Sequence, residues 1–338
     1  MARSESLSSP LVSVVVIGRN EGARLTRCLQ SVQAMRDPGG AVEIIYVDSA
    51  SRDDSVARAR ELGARVIEVV PERPSAALGR NAGWREAHAP YVLFLDGDTI
   101  LHPDFVGAAL QAMQDPQVGV VWGHRREIHP EQSLFNRVLD LDWVYPPGVS
   151  DFCGGDALMR TEVLRAVNGF DATLIAGEEP ELCQRIRALG YRILHIDQPM
   201  TGHDLAMTNW SSYWKRAFRA GHAYAEVSHR LRHTAFPLWV EDARRNRIRG
   251  GILLLLLAAA LFAAGLMQSI LPLLAGFGVV LALTIRSAWK ARWKGGSPLT
   301  LILYGLHSHV QQIPILFGQV AWWRDRRRDT VRGLIEYK

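Results

Sequence analysis

Short apolar runs alternate with polar segments over residues 12–95. A first helix is predicted after Asn20, which we expect to cap it, because Leu25, Leu29 and Val32 follow at helical spacing. A second helix is predicted to end at Gly63. Strands this apolar, separated by helices, form a largely parallel sheet that is covered on both faces. The predicted strands are residues 12–17 (VSVVVI), 42–47, 66–70 and 91–95 (YVLFL).

A second pattern, an uncharged apolar run, covers residues 251–285 and exceeds the roughly 20 residues that one membrane span needs. Gln268, Ser269 and Pro272 interrupt the run near its middle, where we expect a turn. Because basic residues flank both ends, and positive flanks stay in the cytoplasm, the run is predicted to be a hairpin. The alternatives are one tilted helix, a re-entrant hairpin, and a buried hairpin of a soluble protein, which would usually carry a polar stripe.

A third apolar stretch, residues 298–323, ends at Trp322 and Trp323 and is followed by clustered arginines. Tryptophan beside arginine is typical of a helix at the level of the lipid headgroups, so an interfacial helix is predicted. These patterns divide the chain into a body, residues 1–243, and a membrane-attachment region, residues 244–338. A hairpin this short also leaves a homo-oligomer open, since self-association stabilises poorly spanning helices.

Charge is divided in the same way. The chain has 39 basic and 34 acidic residues, but residues 244–338 hold 14 basic and three acidic ones. An acidic body with a basic, apolar tail argues against a nucleic-acid-binding protein and for a body beside an anionic membrane. Three scattered cysteines predict neither a disulfide framework nor a zinc site, and the polar residues 1–10 lack the apolar core of a secretory signal. We therefore expect the body in the cytoplasm, at the inner membrane.

Acidic residues follow the predicted strands where ligands of such sheets bind. Asp48 follows the second strand, and Asp96-Gly97-Asp98 follows the fourth without a lysine or arginine beside it in the sequence. Neither a GxGxxG nor a GxxxxGKS loop is present in the sequence, which argues against dinucleotide-binding and P-loop enzymes. Carboxylates at strand ends instead favour a divalent cation, Mg²⁺ or Mn²⁺, that holds a diphosphate.

The body resembles the inverting family 2 nucleotide-sugar glycosyltransferases over roughly residues 12–227. The resemblance implies a GT-A fold, that is, an α/β Rossmann-like mixed sheet, here with a C-terminal helical membrane region. Five blocks carry the likeness in the expected order: VSVVVIGRNEG (12–22), IIYVDSASRDDS (44–55), GRNAGWREAHAPYVLFLDGDT (79–99), CGGDALMRTEVLRAVNGFD (153–171) and GEEPELCQRIRALGYR (177–192).

The resemblance also implies roles for individual residues. Asp98 resembles the metal ligand, and His203 is a candidate to complete the metal or diphosphate site. A nucleotide sugar, first of all a UDP-sugar, is the expected donor. Its predicted binding residues are Asn20, Glu21 and Asp48 at the nucleoside, Arg80 near the phosphates, Asp96 at the ribose, and Gly154 and Gly155 at the sugar and acceptor.

The predicted catalytic base is Glu179, although family members usually have aspartate at the matching position. Pro180 is predicted to be the first helical residue, with an apolar stripe of Leu182, Ile186 and Leu189. A helix N-terminus favours an ionised carboxylate. The implied reaction is a single displacement in which Glu179 takes a proton from an acceptor hydroxyl.

Two other functions stay open. A polyprenyl-phosphate glycosyltransferase would have an ionised acceptor that needs no base, and a silent nucleotide-binding scaffold would need neither the metal site nor Glu179. A channel is disfavoured because the apolar run contains no acidic or basic residue. We expect transfer of sugar to a lipid-linked or membrane-proximal hydroxyl acceptor in exopolysaccharide or glycolipid assembly. A processive polymerase is disfavoured because the chain lacks the Gln-x-x-Arg-Trp string of processive relatives.

Overall fold

The computed structural model of the chain describes residues 9–328 and residue 330. Its contacts define two compact units. Unit 1 contains residues 9–128, 146–174 and 178–204, and unit 2 contains residues 129–145, 175–177 and those from 205 onwards. Most of the polar N-terminal segment, residues 1–8, lies outside the described residues.

Unit 1 is built on one sheet. Its strands are β1 (Val12–Gly18), β2 (Val42–Asp48), β3 (Arg65–Glu68), β4 (Tyr91–Asp96), β5 (Thr99–Leu101), β6 (Val118–Glu127), β7 (Gly148–Ser150), β8 (Ala157–Arg160) and β9 (Arg192–His203). Its helices are α1 (Ala23–Gln33), α2 (Ser55–Glu61), α3 (Ala76–Arg85), α4 (Phe105–Ala112), α6 (Thr161–Ala166) and α7 (Glu178–Ala188).

The sheet is mixed, as the resemblance implies. Its order is β3-β2-β1-β4-β8-β6-β9-β5, and β7 pairs with β9 outside that path. The first four strands run parallel, whereas β8 pairs antiparallel with both β4 and β6. Residues 12–16 of β1 are all buried, because both faces of the central strands are covered.

Several predicted boundaries are wrong by a few residues. β3 ends at Glu68, and Val70, which was predicted inside that strand, is 85% exposed. Helix α1 begins at Ala23 after Gly22, so Asn20 does not cap it. Helix α7 begins at Glu178, two residues before Pro180, and Leu189 is exposed after its end while Cys183 is buried inside it.

Unit 2 is helical. Its helices are α5 (Leu134–Asp142), α8 (Trp210–Leu231), α9 (Val240–Met267), α10 (Leu271–Ala291), α11 (Pro298–Val310) and α12 (Gln312–Arg327). A short buried cluster, which includes Val138, Leu139, Leu205 and Tyr213, packs α5 against α8 and α11.

Helices α9 and α10 form the predicted hairpin, with Gln268 in the left-handed conformation at the turn. Both are long and apolar enough to cross a membrane. Only 6% of the most apolar window of α9 and 11% of that of α10 is buried. The hairpin is therefore not the buried core of this chain, and the two helices differ from the single tilted helix kept as an alternative.

The stretch 298–323 forms two helices, α11 and α12, instead of one. Pro314 lies in the first turn of α12 and offers no N–H to the carbonyl of Val310, the last residue of α11, so a continuous helix would lose that bond. Helix α12 packs on α8, where a Cβ added to Gly318 would lie 2.0 Å from the carbonyl oxygen of Phe218. Phe317 and Val320 on the same helix are exposed. The interfacial location of this stretch stays a prediction.

Candidate active site

The parallel register brings the first predicted site residues to one edge of the sheet. Strand β1 lies between β2 and β4, with Gly18 opposite Asp48 and Ile17 opposite Asp96. Asp48 is buried, and its carboxylate accepts hydrogen bonds from the Tyr46 hydroxyl (2.9 Å) and the Ser51 N–H (2.8 Å). Asp48 and Asp96 therefore flank the carboxyl end of β1.

Asn20 and Glu21 lie in the loop that follows β1. Asn20 has a φ of 57°, and its Oδ1 accepts a hydrogen bond from the Arg52 N–H (2.8 Å). It thus joins the loop after β1 to the loop after β2. The Glu21 carboxylate pairs with Arg24 at 2.9 Å, and its Cγ lies 3.1 Å from where a Cβ of Gly97 would be. Glu21 therefore borders the Asp96-Gly97-Asp98 turn, and Asn20 borders the loop that follows β2.

The predicted metal ligands converge. Strand β5 pairs antiparallel with β9 so that Thr99 lies opposite His203, and this pairing places His203 beside Asp98. His203 Nε2 lies 3.4 Å from Asp98 Oδ1, and both side chains are buried. Ligand atoms of Asp96, Asp98 and His203 all lie within 4.8 Å of one another. This mixed oxygen and nitrogen set fits a divalent cation such as Mn²⁺.

Arg80, which is predicted to lie near the donor phosphates, contacts three acids of the site in the structure. It lies on α3 and is 2% exposed. Its Nη2 donates to Asp96 Oδ1 (2.9 Å), while its Nη1 contacts Glu178 Oε1 (3.1 Å) and Glu179 Oε1 (2.8 Å). The guanidinium therefore connects the acid at the end of β4 with the acids that begin α7, and it has almost no exposed surface for a phosphate.

Glu179 has the ionisation expected of a general base at neutral pH. Its position at a helix N-terminus predicts a favoured ionised form, but burial and the adjacent Glu178 carboxylate outweigh that effect. Together they raise the pKa of Glu179 from 4.5 to about 7, against the opposing charge of Arg80. A base is most effective when its pKa lies near the working pH.

Sequence reasoning missed part of the site. Arg125 on β6 contacts Asp96 Oδ2 through Nη2 (3.4 Å) and lies 3.7 Å from Asp156 through Nε. Asp156 is fully buried, accepts a hydrogen bond from the Asp96 N–H (3.0 Å), and has a pKa raised by burial. No lysine or arginine stands beside Asp96 in the sequence, but the fold brings Arg80 of α3 and Arg125 of β6 into contact with it. Only the fourth block, in which Asp156 stands, carried a sequence signal for these partners.

The two glycines of that block, Gly154 and Gly155, have different surroundings. A Cβ on Gly155 would lie 2.5 Å from Arg80 Nη2 and 3.0 Å from Asp96 Oδ2, whereas one on Gly154 would have Arg125 Nη1 as its nearest neighbour, at 4.0 Å. Gly155 therefore permits the Arg80–Asp96 contact, and Gly154 borders open space. Cys153, just before the pair, has its Sγ 3.6 Å from Cys183 Sγ of α7, both as free thiols.

Comparisons with known proteins place this geometry in a family. Residues 13–167 match the model described as glycosyl transferase family 2, and residues 91–323, well over half of the chain, match that of glycosyl transferase family group 2. Glycosyltransferase AglE of Haloferax volcanii is 22% identical over 229 residues, 64% of this chain and 74% of AglE. Pre-mycofactocin glycosyltransferase of Mycobacterium tuberculosis is 28% identical over 239 residues, 63% of this chain. The match spans 46% of the length of that relative.

Solved structures agree on the fold. The mannosyltransferase PcManGT from Pyrobaculum calidifontis, solved with GDP-Man and Mn²⁺, superposes with a TM-score of 0.69 at 20% identity, over 95% of this chain and 89% of that one. Residues 1–349 of TarS from S. aureus superpose with a TM-score of 0.51 at 14% identity, over 95% and 92% of the two chains. This chain therefore belongs to the family 2 glycosyltransferases and has the GT-A fold.

Proposed function

We propose that this protein is a membrane-attached, metal-dependent inverting glycosyltransferase that moves a sugar from a nucleotide-sugar to a lipid-linked or membrane-proximal hydroxyl acceptor. The observation that carries the proposal is that, in unit 1, one arginine connects a candidate cation site to a candidate base. Asp96 and Asp98 with His203 form a cation site, and Arg80 connects Asp96 to the acid Glu179, whose pKa suits a base.

The donor side is assigned to the edge formed by β1, β2 and β4. Asn20, Glu21 and Asp48 are placed at the nucleoside, and Asp98 with His203 would hold the divalent cation. When bound, such a cation would neutralise charge on the leaving diphosphate. A histidine nitrogen beside carboxylate oxygens favours Mn²⁺ over Mg²⁺, which prefers oxygen ligands. UDP- and GDP-sugars are both to be tested as donors, because PcManGT was solved with GDP-Man.

The acceptor side is assigned to Glu179. As a base with a pKa of about 7, it would take the proton of an acceptor hydroxyl while the oxygen attacks the anomeric carbon from the face opposite the nucleotide. This displacement inverts the configuration at that carbon. A phosphate acceptor is already ionised at neutral pH and would not need a base to remove a proton.

Membrane attachment is assigned to α9 and α10. Leu261, Phe262 and Leu266 on α9, like Leu274 and Phe277 on α10, are more than half exposed. Arg244, Arg245 and Arg249 before the apolar part of α9, and Arg286, Lys290 and Arg292 after that of α10, are exposed as well. Because a short turn makes the helices antiparallel, both basic groups lie at one end of the hairpin, the cytoplasmic end by the positive-inside rule. We place the protein at the inner membrane with its catalytic unit in the cytoplasm.

The test is nucleotide release by the detergent-purified full chain. UDP-, GDP- and dTDP-sugars are supplied with Mn²⁺, with Mg²⁺ or with a chelator, and donor binding is measured in the same samples by calorimetry. Asp98→Asn is compared with Asp197→Asn, an exposed aspartate on β9, and Glu179→Gln with Glu162→Gln, an exposed acid in the first turn of α6.

We expect cation-dependent release from one donor, reduced at least a hundredfold by Asp98→Asn and by Glu179→Gln and unchanged in both controls. Activity of Glu179→Gln on a polyprenyl phosphate would instead identify the phosphate acceptor. Absence of cation-dependent donor binding in the wild type would refute the enzyme proposal and favour a scaffold.

A further inference from the structure

Arg80 is the most completely enclosed cation of the site, and its hydrogen-bond and ion-pair partners are acids of the site, while its guanidinium lies over the Phe170 ring. Its side chain is 2% exposed and is in contact with Asp96, Glu178 and Glu179 at 2.9, 3.1 and 2.8 Å. The guanidinium has almost no exposed surface, and both of its terminal nitrogens contact carboxylates. Arg80 is therefore oriented towards the acids of the site.

The two acids that share Arg80 Nη1 are unequal. The Glu178 side chain is 5% exposed and that of Glu179 is 14% exposed. Glu178 is thus the inner acid, and Glu179 is the one that an acceptor can reach. Arg80 Nη1 contacts Oε1 of Glu179, so the second oxygen, Oε2, is the one assigned to accept the proton.

We propose that Arg80 is the positioning residue of the base: its guanidinium holds Glu179 Oε1 in place and couples the base to Asp96 of the donor site. This inference rests on the proposed function and deepens its acceptor side. A glutamate has three rotatable side-chain bonds, so a fixed contact on one oxygen restricts where the other points. The planar guanidinium binds Asp96 through one nitrogen and the two glutamates through the other, which a lysine ammonium does not reproduce.

The same contact controls the ionisation of Glu179. The charged and titratable groups that act on it are Glu178 of α7, Arg80 of α3 and Asp96 of β4, and the thiol pair Cys153–Cys183 lies close by. Arg125 of β6 and Asp156 contact Asp96 instead. Burial, Glu178 and Asp96 raise the pKa of Glu179, and Arg80 lowers it. Loss of Arg80 should therefore raise this pKa further and leave less of the base ionised at neutral pH.

The experiment removes Arg80 in a variant that also lacks the Glu178 charge, so that the acids left behind repel one another less. Removal of Arg80 alone would leave three acids without their shared cation, so Glu178→Gln is compared with the double variant Glu178→Gln/Arg80→Met. The double variant has the same net charge as the wild type. Arg80→Lys tests whether the planar guanidinium, with its two terminal nitrogens, is needed. Arg85→Met, which replaces an exposed arginine at the end of the same helix, is the control. The readouts are turnover against pH at saturating donor, donor Kd by calorimetry, and the pH dependence of Tm.

We expect the acid limb of turnover to move up by about one pH unit from Glu178→Gln to the double variant, which is a loss of about tenfold in rate at pH values well below both limbs. Donor Kd should change by less than threefold. Arg80→Lys should lower kcat at least tenfold without raising KM for the donor, and Arg85→Met should match the wild type.

Two results would overturn the inference. A donor Kd raised tenfold with an unmoved acid limb would make Arg80 a phosphate ligand, and an equal loss of rate at every pH would leave it a packing residue. If the double variant fails to fold, the split between kcat and KM in Arg80→Lys decides. If the wild type shows no cation-dependent binding of any donor, the proposed function fails, while the pH dependence of Tm still reports whether Arg80 controls the ionisation of Glu179.

Discussion

Replacing Gly155 by alanine should disrupt the charged centre of the site with a single methyl group. The added Cβ would lie 2.5 Å from Arg80 Nη2 and 3.0 Å from Asp96 Oδ2. Favourable contacts between heavy atoms need about 3.5 Å, so the guanidinium would have to retreat by about 1 Å. Because Arg80 is almost fully buried, that movement would break its 2.9 Å bond to Asp96 or compress its surroundings. The backbone of Gly155 is outside the left-handed region, so the effect is steric alone.

Breaking the Arg80–Asp96 bond and compressing the surroundings of Arg80 should cost similar amounts of folding free energy. A charge-assisted hydrogen bond contributes about 1.5–3 kcal/mol, and overpacking costs about 1–3 kcal/mol. We therefore expect Gly155→Ala to lower the free energy of unfolding by about 2 kcal/mol, which corresponds to a Tm decrease of about 4–8 °C for a unit of this size. The assay is thermal unfolding in detergent, followed by tryptophan fluorescence.

The neighbouring glycine supplies the matched control. A Cβ on Gly154 would have its nearest neighbour at 4.0 Å, so Gly154→Ala should change the Tm by less than about 2 °C. Equal Tm values for the two alanine variants would refute the argument, because they would mean that Arg80 is free to move or does not lie against Gly155. A lower Tm for Gly154→Ala than for Gly155→Ala would refute it as well.

Two further predictions concern Glu179 and the hairpin. Because the folded-state pKa of Glu179, about 7, lies above its ordinary 4.5, the folded state holds a proton that the unfolded chain has lost, so stability falls as pH rises through that interval. Glu179→Gln removes this loss of stability. We expect the Tm of the variant to exceed that of the wild type at pH 8 and to converge with it below pH 4.5. An equal Tm at pH 8 would contradict the raised pKa of Glu179. Leu261→Arg, at a position 64% exposed on α9, should cost about 2.5–3.5 kcal/mol of membrane insertion and move protein from the membrane to the soluble fraction. Val70→Arg, on an exposed residue of unit 1, should leave fractionation unchanged, and an unaltered distribution of Leu261→Arg would argue against insertion of α9.

The sequence predicts those parts of the site that depend on one strand and the residues after it. Strands β1, β2 and β4 are continuous apolar runs, and the carboxyl ends of parallel strands meet at one edge, so the proximity of Asp48 and Asp96 follows from the pattern. The apolar length and basic flanks of residues 251–285 predict the hairpin for the same reason, since both features are local. The position of His203 beside Asp98 depends on the pairing of β5 with β9, which joins residues over a hundred positions apart, so no local pattern predicts it.

The rest of the site depends on contacts that no periodicity reveals. Arg80 reaches Asp96 across 16 residues and Glu178 across 98, and Arg125 reaches Asp96 across 29. A helical arginine in a polar block is equally compatible with a phosphate ligand and with an ion pair, and only its burial distinguishes the two. The direction of the Glu179 pKa shift has the same origin: the helix N-terminus is visible in the sequence, but the burial that outweighs it comes from the fold.

The balance of charge in unit 1 explains why the acids need both a proton and a cation. Among the described residues, Asp96, Asp156, Glu178 and Glu179 are in contact with Arg80 or Arg125, so four carboxylates share two guanidinium groups. Full ionisation would leave an excess of two negative charges in a largely buried cluster, and burial together with neighbouring carboxylates raises the pKa of both Asp156 and Glu179. A donor diphosphate adds further negative charge beside Asp96 and Asp98. A divalent cation between them would offset this repulsion, and it would also reduce the electrostatic cost of ionising Glu179. On this reasoning the base becomes most effective when the donor and its cation are in place, so we expect the acid limb of transfer to lie below the pKa of about 7 that Glu179 has in the protein alone.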